Sequence, residues 1–131
     1  MDSPDISVII PVFNSGSYIR RCARSLFSQT LRNIEYIFID DCSTDESISI
    51  LREVIDEYPD RRHSVKVIRN DSNIGVGQSR QKGIDMASGR FVIHCDSDDV
   101  VDADMYETMF CAALENDADV VVCGYLSLIH I

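Results

Sequence analysis

Short apolar runs alternating with amphipathic helical stretches predict an α/β fold, a doubly wound and mostly parallel sheet with helices on both faces. Three observations carry the prediction. The runs at 6–12, 34–39 and 91–95 are nearly continuous in β-branched and aromatic residues, as in strands buried on both sides. A stretch with helical periodicity fills the intervals between runs. Two of the runs end in acids, Asp40-Asp41 and Asp96-Ser97-Asp98-Asp99, and the carboxyl ends of parallel strands are where such folds carry their chemistry.

The first strand, 6–12, stops at Phe13-Asn14-Ser15-Gly16, a turn rich in small polar residues. A helix from Ser17 turns Ile19, Cys22, Ala23, Leu26 and Phe27 inward and leaves Arg20, Arg21 and Arg24 as a solvated face. After the second strand, 34–39, Ser43 with Glu46 three residues on matches a capping box. The next helix therefore starts there and buries Leu51, Val54, Ile55 and Tyr58 until Pro59. Asp45 and Glu46 then have a structural reason to exist, at the positive end of the helix dipole, which Asp40 and Asp41 lack.

A third strand, 65–69, leads into the loop 70–77, whose Gly75 and Gly77 permit positive φ or close backbone approach. This Gly-x-Gly has no third glycine and follows a third strand, so it is not a dinucleotide fingerprint. A helix over 77–87 turns Val76, Gly83, Ile84 and Ala87 inward, with Gly89 as its C′ residue. After the strand at 91–95, a helix from Asp102 presents Met105, Tyr106, Met109, Phe110, Ala113 and Leu114 to the core. Asn116-Asp117 make a turn, and 119–124 is a fifth strand.

The 131 residues suffice for one domain with a substantial core, and 45% hydrophobic with 26% charged residues is an ordinary globular composition. A formal net charge of −10 excludes nucleic acid as a partner class, because nothing would neutralise phosphates; it also disfavours an anionic membrane surface. No run approaches the ~20 apolar residues of a spanning helix. The first residues lack the basic and apolar segments of a signal peptide. The five cysteines, Cys22, Cys42, Cys95, Cys111 and Cys123, form no Cys-x-x-Cys pair and read as reduced cytosolic thiols packed as small hydrophobes, not as a zinc set.

Asp96, Asp98 and Asp99 place three carboxylates within four positions. Such a cluster raises the pKa values of its members or gathers a hard cation such as Mg2+ or Mn2+. The alternative is a solvated loop in which Asp99 or Asp102 caps the following helix. His94 alternates with core residues and reads as a packed, hydrogen-bonded histidine, while His63 belongs to a charged loop.

Taken together and in order, four segments resemble the amino-terminal half of the family 2 glycosyltransferases, whose fold is the Rossmann-like GT-A fold. They are ISVIIPVFN at 6–14, YIFIDDCSTD at 36–45, Asn73-Ile74-Gly75 followed by Ser79-Arg80, and GRFVIHCDSDD at 89–99. The likeness spans residues 5–125; each piece alone is common, and the linked set is specific. It implies a nucleotide-sugar donor, most often a UDP-sugar, and inverting transfer to a hydroxyl of a saccharide or lipid-linked acceptor in polysaccharide or glycoconjugate synthesis. By the same resemblance the Pro11-Val12 backbone lies beside the base, Asp41 accepts a hydrogen bond from uracil, and Arg80 lies near the base and Asp41. Asp96 faces the ribose and the water shell of the metal, and Asp98 coordinates the Mn2+ or Mg2+ that bridges the diphosphate, with Asp99 in support.

The family's general base lies in the second half of its domain, beyond residue 125. The chain is therefore expected to be a donor-binding fragment, truncated at its C-terminus and inactive alone, from a cytoplasmic protein whose full length acts at the inner face of a membrane. Three rival readings differ at particular residues. A phospho-receiver domain has acids after its first strand, where Pro11-Val12-Phe13-Asn14 stands, and a lysine after its fifth, where Cys123-Gly124-Tyr125 stands. A nucleotidyltransferase has a basic glycine-rich loop where Asn14-Ser15-Gly16-Ser17 has no base. A non-catalytic nucleotide-binding module would lack the general base altogether. Finally, residues 126–131, Leu-Ser-Leu-Ile-His-Ile, coincide with one reading frame of a widely used transposase sequencing adapter, so the native part is expected to be 1–125.

Overall fold

The computed structural model describes residues 3–117, 120–123 and 126–130. Strands β1 (Ile6–Val12), β2 (Ile34–Asp40), β3 (Val65–Arg69) and β4 (Phe91–His94) alternate with helices α1 (Ile19–Phe27), α2 (Ser47–Glu57) and α3 (Val76–Met86). Helix α4 (Met105–Glu115) follows, then β5 (Val120–Cys123) and β6 (Leu126–His130). The sheet order is β3-β2-β1-β4-β6-β5. The first four strands are parallel, with Val8 level with both Tyr36 and Ile93. Residues 126–130, to which periodicity assigns no element, pair antiparallel with β4 and with β5.

All seven residues of β1 are buried, as a central strand requires. Its side chains alternate between two cores. Val8, Ile10 and Val12 join Phe27, Tyr36, Phe38, Leu51 and Tyr106 beneath α1, α2 and α4. Ile9 joins Ile37, Ile39 and Val92 beneath Ile84 and Met86 of α3. Helices thus cover both faces, as predicted. Across the α1–α2 surface, Arg20 pairs with Glu53 at 3.2 Å and Arg24 with Glu57 at 2.9 Å. These are exposed pairs of small energetic weight.

Several local expectations are corrected by packing. Helix α2 begins at Ser47, not at a Ser43–Glu46 box. Ser43 is taken by the neighbouring loops: its hydroxyl accepts from Asn14 N–H and its own N–H donates to Asp40 Oδ1. Asp45 Oδ1 instead accepts the Ser47 N–H at 2.9 Å. Helix α4 begins at Met105, three residues after Asp102. Val76 and Leu114 are 54% and 43% exposed rather than inward: Val76 is the first residue of α3, ahead of its first buried residue Ser79, and Leu114 lies past the edge of the stripe formed by Tyr106, Met109, Phe110 and Ala113.

Gly89 is not a left-handed C′ residue; among the described glycines positive φ occurs at Gly75. Gly89 is needed for proximity, since its N–H donates to Ser7 Oγ at 2.8 Å and an added Cβ would stand 2.7 Å from Ser7 N and 2.8 Å from Ile6 C. Those are backbone atoms of the central strand and cannot swing aside. Gly89→Ala should cost about 3 kcal/mol in urea denaturation. Gly77→Ala, in a helix with nothing within 4 Å of the new methyl, should gain up to about 1 kcal/mol. Equal effects at the two positions would refute this account.

Candidate functional site

Strand β1 has β2 on one side and β4 on the other, so the loops after β1 and β4 diverge and leave a crevice at their carboxyl ends. A cleft of about 550 Å³ occupies it. Pro11, Val12 and Phe13 come from β1 and its loop, Asp41 from the end of β2, Asn73 and Gly75 from the β3–α3 connection, and Val76 and Ser79 from the start of α3. Asp96, Ser97 and Asp98 close the other side, with Ser15 and Tyr18 below. The size suits a ligand of nucleotide dimensions.

At one end, Asp41 organises the β3–α3 loop. Its Oδ1 accepts the Ile74 N–H at 2.8 Å and the Asn70 amide at 3.0 Å, and its Oδ2 accepts the Gly75 N–H at 2.9 Å. A carboxylate has about four acceptor directions, so one on Oδ2 has no donor among the described residues, and Asp41 lines the cleft. Burial opposes the charge on Asp41, but these three donors outweigh it and hold the carboxyl below its ordinary value. Gly75, at φ 88°, turns the chain into α3 in a conformation that disfavours any side chain. Asn70 is itself braced by Ser79 Oγ at 3.1 Å and by Lys82 Nζ at 2.9 Å. Asp40 instead faces Arg69 and the Ser43 N–H.

At the other end, carboxylate oxygens of Asp96, Asp98 and Asp99 all lie within 4.8 Å of one another. Burial and then the charges of Asp96 and Asp98 push the Asp99 carboxyl up. Arg80 offsets part of the charge, its Nη2 lying 2.8 Å from Asp96 Oδ1. Below the loop, the thiols of Cys22 and Cys95 both donate to the Asp96 carbonyl, at 3.6 and 3.5 Å. Exposed hard oxygens in excess over local positive charge are the donor set that a divalent cation of the Mg2+ or Mn2+ class requires, so these residues fit such an ion.

Of the residues singled out from sequence, Pro11, Val12, Asp41, Asp96 and Asp98 line one cleft. The Arg80 guanidinium donates to Asp96 Oδ1 at 2.8 Å. His94 differs from expectation, because its Nδ1 is buried with no hydrogen-bond partner among the described residues. Burial and then the nearby Arg80 charge lower its pKa, against a smaller opposing pull from Asp96. Sequence reasoning did not single out Asn70, Ser15 or Ser97. The Asn-Ile-Gly signal marks the loop, but nothing in it says that its amides converge on a carboxylate more than thirty residues away.

The sequence profile of glycosyl transferase family 2 matches residues 7–127. Among curated relatives, glycosyltransferase GlyG of Streptococcus pneumoniae is 38% identical over 120 residues, 92% of this chain and 38% of GlyG. The uncharacterized glycosyltransferase YibD of Escherichia coli is 41% identical over 119 residues, 91% of this chain and 33% of YibD. Among solved structures, S. aureus TarS in complex with UDP superposes with a TM-score of 0.78 at 30% identity, over 88% of this chain and 34% of that one. The mannosyltransferase PcManGT of Pyrobaculum calidifontis, in complex with GDP-Man and Mn2+, has a TM-score of 0.77 at 18% identity, over 99% of this chain and 45% of that one, and shares the fold. The chain thus spans about a third of the length of the curated relatives it matches. The GT-A architecture, the cleft and the profile agree: this chain belongs to glycosyl transferase family 2.

Proposed function

We propose that this chain is the donor-binding part of an inverting glycosyltransferase that moves a sugar from a nucleoside diphosphate sugar, a UDP-sugar, to an acceptor hydroxyl. The observation that carries the reading is a single cleft with the Asp41 carboxylate, one acceptor direction of which has no donor among the described residues, at one end and the Asp96, Asp98 and Asp99 oxygens at the other. Relatives whose complexes hold UDP, UDP-GlcNAc and GDP-Man support a nucleotide-sugar donor. Asp41 would accept the imide N–H of uracil, a donor that cytosine lacks. The Pro11-Val12 backbone would flank the base, and Arg80 would hold Asp96 oriented toward the ribose. Asp98, with Asp96 and Asp99 in support, would hold Mn2+ or Mg2+. Such an ion supplies Lewis-acid stabilisation of the diphosphate leaving group.

The general base and the acceptor-binding half would lie beyond residue 125 of a longer, cytoplasmic protein, with a saccharide or lipid-linked acceptor. Without a base, general-base catalysis worth roughly 10²–10⁴ is lost. Residues 126–131 would be non-native, and resequencing the gene across codon 125 tests this; an unbroken native reading frame through them sinks it. A phospho-receiver is disfavoured by the absence of acids after β1.

Thermal unfolding with UDP, GDP and ADP, each with and without Mn2+, tests the donor site. UDP at about 100 times its dissociation constant should add about 2.7 kcal/mol, several degrees in Tm, when Mn2+ is present. Asp98→Ala should abolish the Mn2+-dependent part. An equal response to all three nucleotides would remove the uracil assignment, and an unchanged response in Asp98→Ala would remove the metal assignment.

A further inference from the structure

The acidic loop is tied to the loop after β1 by a file of hydrogen bonds lying beneath the cleft. Ser97 Oγ and Ser15 Oγ are 2.5 Å apart, and both residues are buried. Ser15 Oγ also donates to the Phe13 carbonyl at 3.4 Å, which makes Ser97 the donor between the two hydroxyls. The Ser15 N–H donates to Ser47 Oγ at 2.7 Å. Ser47 Oγ donates to Asp45 Oδ1 at 2.5 Å, and Asp45 Oδ2 accepts the Gly16 N–H at 2.9 Å. A side chain at position 16 would intrude here, since an added Cβ would meet Asp45 Oδ2 at 2.8 Å.

The file Ser97–Ser15–Ser47–Asp45 joins three segments remote in sequence, and it ends in a carboxylate fixed at the start of α2. Its upper end enters the acidic loop at the residue between Asp96 and Asp98. Three carboxylates within 4.8 Å repel one another, and repulsion acts to splay the loop that carries them. The Ser97–Ser15 contact is a restraint placed against that opening. The Asp99 N–H to Asp96 carbonyl bond at 3.0 Å closes the turn but anchors it to nothing outside itself.

We propose that Ser15 is a positioning residue: through Ser97, and braced by Ser47 and Asp45, it holds Asp96 and Asp98 in the arrangement that accepts a divalent cation. The proposal rests on the donor-site reading above for its ligand, but not for its mechanics. It also gives Asp45 a role beyond capping α2, as the foot of the file. A purely local capping role would not require the acidic loop to respond to changes at Ser15.

The test is a double-mutant cycle of Ser15→Ala and Ser97→Ala in the full-length protein, read in two ways. Amide hydrogen exchange over peptides spanning 95–101, without nucleotide or metal, should quicken about tenfold in either single variant and no further in the double variant. By calorimetry, the gain in UDP affinity on adding Mn2+ should fall about fivefold in each single variant, again without additivity, while affinity for uridine stays within twofold. Unchanged exchange over 95–101 in either folded variant, or additive effects in the double variant, overturns the proposal. If Ser15→Ala does not fold, Ser97→Ala breaks the same contact from the loop side and decides by the same exchange criterion. A wild-type protein that shows no Mn2+-dependent gain sinks the donor-site reading, and the exchange cycle then still decides whether Ser15 holds the loop.

Discussion

Arg61→Ala should destabilise the chain by about 4 kcal/mol, more than removal of any surface ion pair. Arg61 is 2% exposed, yet its guanidinium pairs with no carboxylate among the described residues. It donates instead to four backbone carbonyls: Gln29 at 2.7 Å, Arg32 at 2.9 Å, Leu31 at 3.0 Å and Phe27 at 3.2 Å. The group also lies 5.6 Å from the centre of the Tyr36 ring, a cation–π contact. These carbonyls terminate α1 and form the turn into β2; Arg32 O also accepts the Ile34 N–H at 3.0 Å, while those of Phe27, Gln29 and Leu31 meet no backbone N–H among the described residues. Truncation leaves several buried acceptors without donors and a void against Tyr36. Arg61→Lys should recover less than half of the loss, since one ammonium cannot span four acceptors. Urea denaturation at constant m-value measures both, and a loss under 1 kcal/mol for Arg61→Ala would refute the clamp.

Asp41→Asn should lower affinity for UDP about thirtyfold and stability by about 2 kcal/mol. The amide keeps one acceptor oxygen where the carboxylate met Ile74, Asn70 and Gly75, and its NH2 group opposes a backbone N–H or the Asn70 amide. The imide of uracil then meets a donor instead of an acceptor, so discrimination of UDP over CDP should shrink as well. Calorimetric titration of both nucleotides against wild type and variant checks this. Undiminished discrimination would remove Asp41 from base reading while leaving its loop-organising role intact.

The same residue sets a pH dependence. Its folded pKa is held below the ordinary aspartate value of 3.8, so its contribution is fully present above that value and is lost as pH falls through the lowered folded one. Asp45 acts in the same direction, held down first by the Ser47 hydroxyl and then by the Ser47 and Gly16 N–H groups. Wild type should therefore lose stability steeply below about pH 4, and Asp41→Asn should lose it less steeply.

Much of this molecule was legible in the residue order. The continuous apolar runs dictated central parallel strands, because a strand covered on both faces has no polar side to alternate with. The positions of Asp41, Asp96 and Asp98 followed from the same logic, since acids just past such strands fall at one edge of the sheet. Periodicity also named the inner faces of α1 and α2 correctly, and the linked motifs named the family.

Tertiary structure alone decided what those residues do to one another. Whether Ser43 caps a helix or bridges two loops depends on Asn14 being near, and that follows from sheet order rather than from any local preference. Gly89 and a helix-ending glycine look alike in sequence; its use against Ser7 exists only once β1 and β4 are neighbours. Arg61 and Arg62 are adjacent and chemically identical, yet one is buried in a ring of carbonyls and the other is an exposed partner of Asp56. The file from Ser97 to Asp45 spans residues more than fifty positions apart. Hydrogen bonds of a few ångströms between distant segments leave no period in the chain, and their geometry is fixed only when the strands come into register.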